Sequence, residues 1–528
     1  MGTRQTQTDR AVEKSLNAAA GVKHSICRSS RWLAASVLVA MMLLGLTGQP
    51  AGASETTAVE IEQAVRQRLS TGAMVPPGDI DIRVDKGIVV LSGTVKNLLQ
   101  KYQARQVAES IRGVRSVVDL MSVKPLFRED EAIVRDIRQA LAESPALRRY
   151  DIAVAVDRGV VTLQGTVDAW VLSRLARHLA MSIKGVSDVY NRIDVKTGLQ
   201  RSDGEIQTLV ERRLAADLYV DAAAIVVDVH SGVVTLKGSV GTAAEKRRAE
   251  EDARIFGVDA VNLQALVINP DVQDRMRRQA AFLPLSDDTV LRAVKDALAL
   301  DPRVNAYSVD VSVTDGLVTL IGVVDTLSEK KIAERDVLNT TGVWRVKNKL
   351  TLRYRAFPTD DEVEKRIAAV FERDAELHNL DVHVAVEDLH CRLYGTVDAR
   401  AQKIRAENIA AQIGGVLSLE NDLRVNAKER PDPPGDAEIA ARIRDELFWS
   451  PFVDSDRIEV TVKDQRAVLN GAAAGLFAAH SAVQNTFEGG ARSVRTALSL
   501  DTGSRLDAYF KRDTYQFRLG RIFPDDSL

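Results

Sequence analysis

Eight or nine residues beyond a glycine, the sequence places a basic side chain in five successive segments. Lys101 follows Gly93, Arg174 follows Gly165, Lys246 and Arg247 follow Gly238, Lys330 and Lys331 follow Gly322, and Lys403 follows Gly395. A sixth glycine, Gly471, is followed instead by Ala479-His480. Each of these positions falls near the start of an amphipathic helical pattern, where the helix dipole works mildly against a cation. Helix stability alone therefore gives no reason for them. Two readings stay open: a ladder of cations for anionic head groups or polyanionic envelope polymer, or, more plainly, a solvated face or a salt bridge to the acidic first helix.

Other chemistry is sparse. There is no His-Glu-x-x-His, Gly-x-Ser-x-Gly, Walker loop or paired-cysteine zinc spacing. One cluster, His378, His383, His390 and Cys391, falls across a predicted hairpin. Alternation along the strand sends Cys391 into the core and His383 to solvent, and ligands on opposite faces of a strand cannot share a metal. The sequence therefore predicts no catalytic residues, no metal and no cofactor.

The elements that carry the cations repeat. Gly159-Val-Val-Thr-Leu-Gln-Gly165-Thr-Val167 has five other copies, at 87–95, 232–240, 316–324, 389–397 and 465–473. Leu389 and Gln465 replace the first glycine in the last two copies, whereas the second survives in all six. About twenty residues later comes a second mark, Gly113-Val114, Gly185-Val186, Gly257-Val258, Gly342-Val343, Gly415-Val416 and Gly490-Ala491. Two marks at a fixed separation, six times over, define an internal repeat.

Within a repeat the apolar period changes in a fixed order. Val363, Ile367, Val370 and Phe371 lie on one face of a first helix whose opening turn is acidic. Ile152, Val154 and Val156 alternate as a strand, a turn such as Asp157-Arg158-Gly159 reverses the chain, and the signature strand follows. The retained glycine lies on the buried face, where a missing Cβ admits close approach of another backbone. The first glycine eases a turn that other geometries could replace. A second helix begins at capping patterns such as Thr242-Ala-Ala-Glu245 and ends at the Gly-Val mark. A crossover of about twenty residues suits a final parallel strand. Asn191, Asn348 and Asn421, with Asp119 and Thr496, stand six residues past the mark and are expected to bond local backbone. The fold class is α+β: six tandem small α-β-β-α-β domains, each a small mixed sheet with two helices on one face.

The pattern Gly-x-Val-x-Leu-x-Gly-x-Val, then a helix, then Gly-Val-x-x-Val-x-Asn, resembles the BON domain of bacterial envelope proteins. Repeats 2 and 4 carry it most completely; repeat 6 departs, with Gln465, Ala473, Ala491 and Thr496 at motif positions. The resemblance implies a periplasmic or envelope location, contact with phospholipid or other envelope surfaces, and no catalysis.

Domains are expected at 57–124, 129–197, 202–269, 286–354, 359–427 and 436–501, with linkers at 270–285 and 428–435 and a tail at 502–528. Residues 1–53 read as a secretory signal, with Arg28 and Arg31 before an apolar run from Trp32 to Leu46 and an A-x-A site at Ala51-Gly52-Ala53. An uncleaved anchor is the alternative. The chain of 528 residues has a formal net charge of -2, and residues 1–53 are themselves basic, so the remainder is more acidic still. That balance disfavours nucleic acid as a partner. The expected function is multivalent binding of an anionic membrane or envelope surface; the alternative is holding exported client proteins. Oligomeric state is not readable.

Overall fold

A computed structural model of the chain describes residues 57–71, 79–196, 201–217, 219–269, 285–343, 345–353, 358–425, 435–450, 453–473 and 476–500. The expected signal, both linkers (except Leu285 and Gly435) and the tail lie outside the described residues. Repeat 2 shows the plan: helix Asp130–Glu143, strands Ile152–Asp157 and Val160–Val167, helix Trp170–Met181, strand Asp188–Val195. The signature strand is central, antiparallel to its hairpin partner and parallel to the closing strand. Both helices cover one face, so Val161, Leu163 and Val167 are buried against Ile133, Ile137, Leu172 and Ala176. The other five repeats follow the same order, giving twelve α-helices and six sheets among the described residues.

Backbone geometry explains why the second glycine is kept. In all six repeats it has positive φ, from +117° at Gly395 to +156° at Gly165. A Cβ there would lie 2.0 to 2.6 Å from the carbonyl oxygen of the residue just before the first strand, or, in repeat 5, at its start (Asp151 for Gly165, Ser308 for Gly322). The first glycine differs from expectation. Leu389 and Gln465 keep the turn's left-handed geometry, at φ +64° and +61°, rather than replacing it. The turn is enforced from outside. The first residue of the first helix is aspartate in repeats 2 to 6, and its carboxylate accepts two turn amides at 2.7 to 3.0 Å, as Asp203 does from Ser231 and Gly232. Those bonds hold the Asp203 carboxyl below the usual range. The acidic first turn that the helix dipole favours thus also clamps the hairpin turn.

The repeats pair in nested order: 3 with 4, 2 with 5, and 1 with 6. The amide of Thr341 donates to Ala216 across the first pair, beside a bridge between Asp217 and Thr340. Ile183 and Asp374 form the equivalent bridge in the second, with Ala375 donating to Ser182 at 2.8 Å and Arg373 paired to Glu143. In the third, Arg68 reaches Glu446 at 3.0 Å and Glu488 at 2.7 Å, and Trp449 packs on the core of repeat 1. Pair 3–4 buries two carboxyl pairs, Asp217 with Asp252 and Asp301 with Asp336, among Arg213, Arg248, Arg303 and Arg335. Burial, then the neighbouring carboxylate, raises Asp252 to about 8 and Asp336 to about 7, so each pair holds its proton to a pH well above the usual carboxylate range.

Candidate functional site

The cations divide into two sets with different partners. Eight residues past the glycine, Lys101, Lys246, Lys330 and Lys403 lie on the second helices and reach the closing strand. Their ammonium groups donate to the carbonyls of Met121, Leu266, Leu350 and Leu423 at 2.6 to 2.8 Å. Asn348 and Asn421 complete the fastening by donating back to the backbone carbonyls of Lys330 and Lys403. Their side-chain oxygens accept from the amides two residues on. In repeat 1 Asp119 takes the asparagine's place, 3.5 Å from Lys101. In repeat 2 the eighth position is Ser173, bonded by Asn191. Partial burial lowers the pKa of Lys403.

The ninth position crosses between repeats. Arg174 of repeat 2 pairs with Glu251 of repeat 3 at 2.6 Å, Arg247 of repeat 3 with Glu109 of repeat 1 at 3.1 Å, and Lys331 of repeat 4 with Glu407 of repeat 5 at 2.7 Å. The seven cations of the expected ladder are thus engaged inside the protein, fastening helix to strand or repeat to repeat. They do not form one free surface. The physical reason is geometric: a lysine on the first turn of the second helix overlies the strand that follows the crossover, and its Nζ meets carbonyls there.

What the fold leaves outward is the uncovered face of each sheet. In repeat 4 the closing strand Arg345–Leu352 is an edge strand, and Arg345, Lys347 and Lys349 are exposed at every second position. They flank Leu317, Thr319 and Ile321 of the central strand. The corresponding stretch of repeat 1 carries Val118 and Leu120, and that of repeat 2 carries Tyr190. Leu120, Tyr190, Val226, Val267 and Ile321 expose about half or more of their surface.

The residues of the histidine cluster differ in environment, and His378 is half-buried rather than exposed. Cys391 is buried, and burial pushes its thiol up to about 12. His383 is exposed, bonded to Asp381 and stacked on Tyr394, while His390 bonds Ser418. Among the described residues no group of three histidine, cysteine, aspartate or glutamate side chains is placed to hold a metal. No helix among them is long and apolar enough to cross a membrane.

The family model for the BON domain matches residues 57–125, 129–197, 202–269, 286–354, 359–427 and 435–500. The chain belongs to the BON-domain family. Among curated relatives, osmotically-inducible protein Y of Escherichia coli strain K12 is 30% identical over 142 residues, which span 26% of this chain and 71% of that protein. The 21 kDa hemolysin of Actinobacillus pleuropneumoniae is 28% identical over 138 residues, 25% of this chain and 71% of that protein. Among solved structures, CdsD, a structural protein of the type III secretion system of Chlamydia trachomatis, is 17% identical with a TM-score of 0.12, covering 41% of this chain and 97% of that one. The six BON domains thus account for both motif marks and for their spacing.

Proposed function

We propose that this BON-domain protein is a non-enzymatic scaffold of the bacterial envelope, exported to the periplasm and associated with osmotic stress. Its outward sheet faces meet phospholipid or another anionic envelope surface. The observation that carries the reading is the division of labour among cations. Those on the helices are committed to the fold, whereas Lys347 and Lys349 lie exposed two residues apart on an edge strand. Alternate residues of a strand point the same way about 7 Å apart, so the pair presents two positive charges to one surface. Nested pairing supports a scaffold, because it fixes the faces relative to each other and lets weak contacts add. The similarity to osmotically-inducible protein Y supports the stress association.

A second reading, holding of exported client proteins, draws on the apolar side chains exposed on the same faces, such as Leu120, Val226 and Ile321. Salt separates the two. Co-sedimentation of the full chain with anionic vesicles should fall steeply as ionic strength rises, with no sedimentation on neutral vesicles. Equal binding to both vesicle types across salt would overturn the surface-charge reading and favour the apolar one.

A further inference from the structure

We infer that the hairpin turn of repeat 1, at Lys86 and Gly87, is a binding site for a carboxylate group that a ligand brings from outside the repeat. The other five repeats show what such a turn holds. In each, the two turn amides donate to the two oxygens of one aspartate carboxylate, as Arg158 and Gly159 do to Oδ2 and Oδ1 of Asp130 at 2.7 and 2.9 Å. That aspartate stands 29 positions before the second amide in all five. The residue at the same spacing before Gly87, and likewise the first of its helix, is Ala58. Repeat 1 keeps the donors and lacks the acceptor.

The turn itself is built like the others. Lys86 and Gly87 have φ of +49° and +77°, against +50° and +76° for Arg158 and Gly159, so their amides converge in the same way. Among the described residues neither amide has an acceptor. Glu60, in the first turn of the helix Ala58–Thr71, is spent on the cap, where it accepts from the amide and hydroxyl of Thr57. Gly87 is buried, and a buried amide without an acceptor is costly. Ala58 and Lys86 are exposed, so the side from which the sister repeats deliver their carboxylate lies at the surface.

Charge around the turn suits an anion. Beside the Lys86 ammonium, the side chain of Arg115 lies against Gly87, with its Cγ 2.8 Å from where a Cβ on that glycine would stand. Its counterpart in repeat 6 is Arg492, whose amide bonds the turn as that of Arg115 does, and there the turn holds the Asp436 carboxylate. An arginine at this place is therefore compatible with a bound carboxylate. So is the acid before the turn, Asp85, because Asp157 stands there in repeat 2, where Asp130 is bound. Two donors side by side match the two oxygens of a planar carboxylate, which names the ligand class.

The test uses the full chain with isotopically labelled glycine, and acetate as the probe at fixed ionic strength. The Gly87 amide resonance should shift saturably, half-complete below about 100 mM acetate, while that of Gly159, already engaged by Asp130, stays in place. Ala58→Asp supplies the carboxylate of the sister repeats and should abolish the response. Arg115→Gln should weaken it about two- to fivefold. Acetyl-diglycine separates the sources: tighter binding than acetate assigns a polypeptide C-terminus, equal binding a small carboxylate, and either supports the site. Inorganic phosphate should compete at least about tenfold less well. Sedimentation of A58D with anionic vesicles should match the parent, so this inference can fail without the surface reading failing. No saturable shift, an equal shift of Gly159, an undiminished response in A58D, or phosphate binding as tightly as acetate would each overturn it.

Discussion

Replacing Gly322 by alanine tests the backbone argument at one of its tightest points. The new Cβ would sit 2.0 Å from the carbonyl oxygen of Ser308, where Cβ contacts under 3.0 Å are essentially never seen. The entry to the first strand must retreat by about an ångström, disturbing the pairing of Val309 with Gly322. Holding a non-glycine residue near φ +147° costs roughly 1–3 kcal/mol, and each weakened ladder bond adds about 1 kcal/mol. The expected loss is about 2–4 kcal/mol, against roughly 4–10 kcal/mol for a domain of this size. Hydrogen exchange on the full chain reads the effect locally. Amides of residues 309–324 should open between about thirty and about a thousand times more often, while those of repeats 1 and 6 keep their protection. Gly316→Ala is the control. Its φ of +72° lies close to the values held by Leu389 and Gln465; a Cβ at the equivalent Gly159 would lie 2.7 Å from the Gly185 carbonyl oxygen, but repeats 5 and 6 accommodate a side chain there, so the cost should be only about 1–2 kcal/mol. Equal losses from the two substitutions would refute the close-approach explanation.

Three further outcomes follow from the same geometry. Lys330→Met keeps the aliphatic stem but deserts the Leu350 carbonyl, so the closing strand of repeat 4 should lose about 1–3 kcal/mol of protection, with vesicle binding unchanged. Asp203→Ala should speed exchange at Ser231 and Gly232. Because the Asp203 pKa is depressed, the wild-type clamp is present above the ordinary carboxyl range and released as pH falls below it, and a pH titration of those amides checks the sign. The buried Asp217–Asp252 pair works the opposite way. With Asp252 raised to about 8, the folded state holds a proton that the unfolded chain has released above about pH 4, so its stability contribution falls as pH rises from there through 8. Asp252→Asn should flatten the decline in melting temperature between pH 6 and 8.5; an unchanged slope would remove the pair from the account.

The α-β-β-α-β order was legible because each element announces itself locally, by period, cap or glycine. Gly165 was readable because a retained glycine on a buried face implies close approach, and the approaching group proved to be the Asp151 carbonyl. Partners distant in sequence were not readable. The fastening of Lys330 to Leu350 depends on the helix crossing over the closing strand, and the ion pair of Lys331 with Glu407 depends on how two repeats pack. A repeated cation looks the same in one sequence whether it faces solvent or a carbonyl. The aspartate clamp did leave a signal, since Asp130, Asp203, Asp287, Asp360 and Asp436 recur as aspartate at a constant distance before the turn. Two bonds to adjacent amides suit the short carboxylate. Nested pairing left none, because its contacts join residues up to 420 positions apart.

The most direct test of the central claim compares two sets of charge changes in one vesicle assay. Reversal of Lys347 and Lys349 to glutamate removes the outward pair of repeat 4. At about 1 kcal/mol per cation near a charged membrane, that should weaken sedimentation with anionic vesicles by at least about thirtyfold. Lys101→Met, Lys246→Met and Lys403→Met, made together, should lower stability and leave vesicle binding of the folded protein within about twofold. The opposite pattern, with binding lost in the helix variant and kept in the strand variant, would contradict the account.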